Sequence, residues 1–160
     1  MREDFKTHNH LVMLSQALYR KRKSVIPRLS IVQLCNNVCK KQHSTYSLIE
    51  NGKISFSIDT LLSYLEGIKS IKQISDKNKF RSAYGYFLEQ NRYKKNAEIT
   101  RNDIRKKTNR AYSIIWGIET GVNNYRIDNL FYYLTACDII KESPELIEHV
   151  INFCNNYKMK

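Results

Sequence analysis

The stretch Ile49-Glu50-Asn51-Gly52 returns 69 residues later as Ile118-Glu119-Thr120-Gly121, and the pairing runs on at that offset. Phe56, Ile58, Asp59, Leu61, Tyr64 and Leu65 fall opposite Tyr125, Ile127, Asp128, Leu130, Tyr133 and Leu134. Upstream the offset becomes 70, so that Leu14, Leu18, Arg22, Leu29 and Leu34 pair with Tyr84, Leu88, Arg92, Ile99 and Ile104. So many apolar positions paired in one register define two copies of one module.

Each copy reads as the same string of helices. Leu11, Leu14 and Leu18 recur at three- and four-residue spacing and predict an amphipathic helix that ends in Arg20-Lys21-Arg22-Lys23. Pro27 and Arg28 form a connector. Ser30 is placed to cap a second helix, with Gln33 three residues on completing a capping box. A polar turn at Lys40-Lys41 leads to a third helix from about Gln42 to Glu50. Asn51-Gly52 ends it, because glycine takes the left-handed conformation of a helix C-cap without strain. A fourth helix carries Ile58, Leu61, Leu62, Leu65 and Ile68 on its inner face.

In the second copy Thr100 and Asp103 occupy the capping-box positions. A further helix opens at Ser143-Pro144-Glu145, with serine as N-cap and proline at the first helical position, and buries Leu146, Ile147, Val150 and Cys154. The expected fold is all-α, with a first module over 9–70, a polar linker over 71–79 in which Ile71 and Ile74 leave room for a short helix, and a second module over 80–157 that includes the C-terminal helix. His8 and His10 read as a mobile N-terminal segment without a role.

Composition agrees with helix. The 160 residues are 42% hydrophobic, and 5 Gly with 2 Pro supply little turn chemistry for a many-stranded sheet. There are 27 Lys and Arg against 15 Asp and Glu, for a net charge of +12. Up to residue 80 the count is 14 basic and 6 acidic; beyond it, 13 and 9. Such an excess repels itself and points to an anionic partner, nucleic acid ahead of an anionic membrane. Apolar runs such as Ser113-Ile114-Ile115-Trp116 are too short to span a bilayer. The opening Met1-Arg2-Glu3-Asp4 is unlike a signal peptide, so a cytoplasmic location without membrane attachment is expected.

Cys35, Cys39, Cys137 and Cys154 suit that compartment as reduced core thiols. Cys35-x3-Cys39-x3-His43 has two cysteines and a histidine in helical spacing, but lacks a fourth ligand and a C-x2-C knuckle, so no metal is expected. No glycine-rich phosphate loop and no nucleophile–base set is present in the sequence; neither an enzyme nor a cofactor is expected.

The run Leu29-Ser30-Ile31-Val32-Gln33-Leu34-Cys35 through Tyr46-Ser47-Leu48-Ile49-Glu50-Asn51-Gly52-Lys53 resembles the Cro/phage-repressor helix-turn-helix family of XRE type. The resemblance covers residues 11–68 and, more loosely, 80–140. The first copy looks most like the Rgg/PlcR branch of Gram-positive regulators. Those carry a long peptide-sensing helical repeat that this sequence lacks, and peptide control is not carried over.

The resemblance implies two tandem DNA-binding bundles and a transcriptional regulator, by analogy one of a phage or other mobile element. In such a module the third helix enters the major groove and its first residues face base edges. By position these are Gln42, His43 and Ser44, with Thr45 supporting a phosphate or methyl contact. Arg20, Arg22, Arg28, Lys40, Lys41 and Lys53 lie where phosphates would pass. Tyr46 and Ile49 read as core, and Glu50 and Glu119 as structural acceptors near the helix end.

In the second copy Tyr112 and Ser113 hold the reader positions, among Arg105, Lys106, Lys107 and Arg110. This copy has two readings. It binds DNA through phosphates, an aromatic ring and thymine methyls, or its apolar face packs against protein. An internal pseudo-dimer would then read unlike half-sites about 10 bp apart, whereas a homodimer would read a palindrome. A protein partner is the rival expectation: the same fold acting as an inhibitor or antirepressor, suggested by Ile114-Ile115-Trp116 and by Glu142, Glu145 and Glu148.

Overall fold

A computed structural model describes residues 2–25, 30–38, 43–95 and 99–156. Among these the chain is all-α, with no strand, and no helix is long and apolar enough to cross a membrane.

The helices fall into two compact units. The first holds α1 (Arg2–Val25), α2 (Ile31–Val38), α3 (His43–Glu50), α4 (Ile58–Gly67) and, from the end of the chain, α9 (Ser143–Asn156). The second holds α5 (Lys77–Lys95), α6 (Arg101–Thr108), α7 (Tyr112–Thr120) and α8 (Ile127–Ala136).

The capping chemistry sets the starts of these helices. In α2 the Gln33 amide donates to Ser30 Oγ at 3.2 Å, and the Ser30 amide donates to Gln33 Oε1 at 2.9 Å. In α6 the Asp103 amide donates to Thr100 Oγ1 at 3.2 Å, and the Thr100 amide donates to Asp103 Oδ2 at 2.8 Å. Both boxes are complete, each satisfying two amides that a helix start would otherwise leave open. The Thr100 amide and hydroxyl also hold the Asp103 carboxyl below its usual range.

After α3, the Gly52 amide bonds the Ile49 carbonyl and the Lys53 amide the Leu48 carbonyl, with Gly52 at φ +67°. This is the Schellman arrangement, and the left-handed residue it requires is the glycine of the repeated tetrapeptide. Gly121 takes the same conformation after α7, at φ +69°. The ends of α4 and α8 repeat the device with residues other than glycine: Lys69 and Asp138 stand at φ 60° and 57°.

The paired apolar positions are paired in burial. Leu14, Leu18, Leu34, Ile49, Leu61 and Leu65 are buried in the first unit, and Tyr84, Leu88, Ile104, Ile118, Leu130 and Leu134 in the second. Each such side chain contributes roughly 1.5–3 kcal/mol relative to exposure. The helix packing repeats as well. α3 packs on α1 and on α2, and α2 on α4; α7 packs on α5 and on α6, and α6 on α8. In the second unit the first and third helices approach closely enough that a Cβ on Gly85 would run into the α7 backbone, and one on Gly121 into the α5 backbone at Arg81.

Four features depart from the sequence expectation. The first helix begins at Arg2, so His8 and His10 lie inside it rather than in a mobile segment. The 71–79 linker holds no short helix of its own. Ile71 is buried, and α5 starts at Lys77 with the Asp76 carboxylate accepting from the Lys79 amide at 3.0 Å. The C-terminal helix, expected in the second module, belongs to the first unit, where α9 packs on α1. Finally, Ser143 does not cap α9. Its side chain is buried, and the Glu142 amide is instead satisfied by Glu145 Oε1 at 3.2 Å.

Candidate nucleic-acid interface

Beneath the third helix of each unit lies the same buried ionic cluster. In the first unit Arg22 donates to Glu50 from Nε at 2.6 Å and from Nη2 at 3.3 Å, and the Tyr64 hydroxyl lies 3.0 Å from Glu50 Oε1. In the second unit Arg92 donates to Glu119 at 2.7 and 3.2 Å, and the Tyr133 hydroxyl donates at 2.7 Å. Arg92 also reaches the Ile99 carbonyl at 2.7 Å. Each cluster ties the C-terminal end of the third helix to the first and fourth helices of its unit.

The second cluster has one member more. Arg101 Nε lies 2.5 Å from Glu119 Oε2, and its Nη2 lies 3.5 Å from Glu89. Burial alone would raise the Glu119 pKa; hydrogen bonds from Arg92, Tyr133 and Arg101 outweigh it and hold the carboxyl below its ordinary value. At the matching position the first unit has Ile31, and Glu50 keeps Arg22 and Tyr64. Glu50 and Glu119 are thus acceptors at a helix end, as their positions suggested.

Arg22 is therefore not a phosphate ligand. It is 4% exposed and committed to Glu50, which corrects its assignment from the run Arg20–Lys23. Of its neighbours, Arg20 and Lys23 are exposed, and Lys21 pairs with Glu148 at 3.0 Å. A surface pair of that kind adds little to stability.

In the second unit the expected residues lie at the end of α6 and the start of α7. Arg105, Lys106 and Lys107 form the last turn of α6 and are all exposed. Asn109 ends that helix in the left-handed conformation, at φ 55°. Ala111 is the N-cap of α7 and supplies no side-chain cap. Tyr112, 44% exposed, and Ser113 follow directly, and Trp116, 40% exposed, lies one turn further on. Arg110 is half-buried, its guanidinium 4.6 Å from the centre of the Tyr132 ring, and is thereby held in place.

In the first unit the matching surface is described in part. Arg28, Lys40, Lys41 and Gln42 lie outside the described residues, as do the side chains of His43 and Ser44, which open α3. Lys53 is exposed and Thr45 half-buried; Tyr46 and Ile49 are core. Leu48, 40% exposed, lies on the outer face of α3 and was not singled out by sequence. A cleft of about 490 Å³ opens beside α3, lined by Gln16, Tyr19, Arg20, Ser47 and Asn51 over the Arg22–Glu50 pair.

The Cys35-x3-Cys39-x3-His43 spacing gains no support. Cys39 and the His43 side chain lie outside the described residues, and Cys35 is a free thiol whose pKa burial raises. Cys137 is buried and Cys154 half-buried, both free, with burial pushing their thiols up to about 11 and about 12. Among the described residues no three His, Cys, Asp or Glu side chains gather to hold a metal. No protein-family profile, curated protein or solved structure matches the chain.

Proposed function

We propose that this chain is a sequence-specific double-stranded DNA-binding regulator, built from two tandem helix-turn-helix modules, α1–α4 and α5–α8. The observation that carries the reading is the second unit's surface, where the exposed Arg105-Lys106-Lys107 turn sits directly before the outward start of α7. A cationic turn leading into an exposed helix matches what a duplex requires. The helix fits the major groove, and the charges meet the flanking phosphates.

In this reading the buried Arg–Glu–Tyr clusters orient the reading helices, so that α3 and α7 are presented rigidly. Gln42, His43 and Ser44 read bases in the first unit; Lys40, Lys41, Lys53, Arg20 and Arg28 anchor phosphate. A control protein of a phage or other mobile element is the biological setting that the family resemblance supports.

Charge reversal at Lys106 and Lys107 tests the second unit. Duplex binding should weaken for all sequences alike, and the dependence of affinity on salt should flatten by about one unit of log–log slope for each phosphate no longer neutralised. Replacing Gln42 and Ser44 by alanine should instead relax sequence preference. An equal, uniform weakening from both pairs would contradict base reading by α3.

A second reading rests on exposed aromatic surface. Tyr86 is 65% exposed and Trp116 40%, a composition typical of protein interfaces. Under that reading the Lys106 and Lys107 reversal leaves partner binding intact, while Trp116→Ala abolishes it.

A further inference from the structure

The buried cluster of the second unit and the cleft of the first occupy the same place in the repeat. Around Glu119 stand Arg92, Arg101 and Glu89, and Arg101 bridges the two carboxylates at 2.5 and 3.5 Å. Their counterparts in the first copy are Glu50, Arg22, Ile31 and Tyr19. All four line the cleft of about 490 Å³ beside α3. The first unit thus keeps the carboxylate and its inner arginine. It has an aliphatic and an aromatic side chain where the second unit holds a bridging guanidinium and an outer anion.

The hydrogen bonds show what this exchange leaves. Glu119 accepts from Arg92 on both oxygens, from Tyr133 on Oε1 and from Arg101 on Oε2. Glu50 accepts from Arg22 on both oxygens and from Tyr64 on Oε1. Among the described residues, its Oε2 holds only the longer Arg22 bond, at 3.3 Å. A carboxylate has room for about four hydrogen bonds, so one acceptor position is left on a side chain that is 4% exposed and lines an open cleft. Arg101 Nε fills that position in the second unit.

We infer that this cleft is a binding site for a guanidinium group on an aliphatic stem, as in arginine, with the guanidinium on Glu50 Oε2 and the stem against Ile31 and Tyr19. A guanidinium is more weakly hydrated than an ammonium and packs on aromatic rings, so it suits this seat better than the head of a lysine. The volume lies in the range of small-molecule sites. Arg20 also lines the cleft, but it is exposed, and its long stem lets the charge turn to solvent. The site is the same whether or not the chain binds DNA.

The test is calorimetric titration of the whole chain with L-arginine, with L-lysine, and with L-citrulline, in which a neutral urea of the same shape replaces the guanidinium. Arginine should bind saturably and about tenfold more tightly than either analogue, because it alone brings forked, charge-assisted bonds to the carboxylate. N-acetyl-arginine amide separates two sources of the group. Binding as tight as that of free arginine marks an arginine within a peptide, and loss of binding marks the free amino acid.

Glu50→Gln leaves Arg22 buried without its anion and so mixes binding with stability. Ile31→Arg separates them. It sets a guanidinium where Arg101 stands in the second unit, and it should abolish arginine binding while the thermal midpoint holds or rises. A midpoint lowered by that substitution would show that the seat does not accept a guanidinium and would overturn the assignment. Equal binding of arginine and citrulline, no saturable binding of arginine or its capped amide, or arginine binding unchanged in Ile31→Arg would each overturn it as well.

Discussion

Glu119 concentrates two guanidinium groups and a tyrosine hydroxyl on one buried carboxylate. Removing its charge strands Arg92 without an anion and leaves Arg101 with Glu89 alone. Glu119→Gln should destabilise the second unit by about 3–5 kcal/mol, the usual cost of breaking a buried pair, as read by urea unfolding. The pH dependence has a definite sign. Because the folded pKa of Glu119 lies below the ordinary 4.5, its stabilisation is fully present above that value and is lost as the pH falls through the folded pKa. Acid unfolding of the second unit should therefore begin below pH 4.5 and vanish as a distinct step in Glu119→Gln. The place of Arg22 was legible, but only by period. In the run Arg20–Lys23 four cations look alike, yet Arg22 alone continues the four-residue spacing of Leu14 and Leu18 and has Arg92 as its repeat partner. Arg101 had no such signal, since its counterpart is Ile31 and its role arises from the tertiary position of Glu119 and Glu89.

At the level of single helices, two glycines of α7 and its cap make opposite predictions. Gly121 stands at φ +69° with the α5 backbone against its missing Cβ. Gly121→Ala should cost at least the roughly 1–2 kcal/mol of a left-handed alanine and more for the displaced helix. Gly117→Ala should stabilise by up to about 1 kcal/mol, the difference in helix propensity; a thermal unfolding comparison separates the two. Both capping boxes and the Gly52 terminus were legible because they rest on bonds between residues three or four apart. The left-handed Lys69 and Asp138 were not, since residue type gives no warning there. Nor was the capping of α9, where burial takes Ser143 out of the position its chemistry suggests and Glu145 serves Glu142 instead.

For the chain as a whole, the repeat announced two units, but not that α9 returns to the first. Chain order places that helix after the second copy, and only the burial of its apolar face against α1 decides where it goes. Leu146, fully buried on α9, tests this. Leu146→Ala should cost about 2–5 kcal/mol and should raise hydrogen exchange in α1–α4 while α5–α8 stay protected. The net charge of +12 was the earliest pointer to an anionic partner, and the proposed function seats that partner at Arg105, Lys106 and Lys107, in the last turn of α6. The proposed partner is duplex DNA read by sequence. In-vitro selection from a random duplex library at about 150 mM salt, where non-specific phosphate binding is already weakened, tests it most directly. Enrichment of one site with two unlike halves is expected. Retention that is sensitive to salt but enriches no sequence would contradict it.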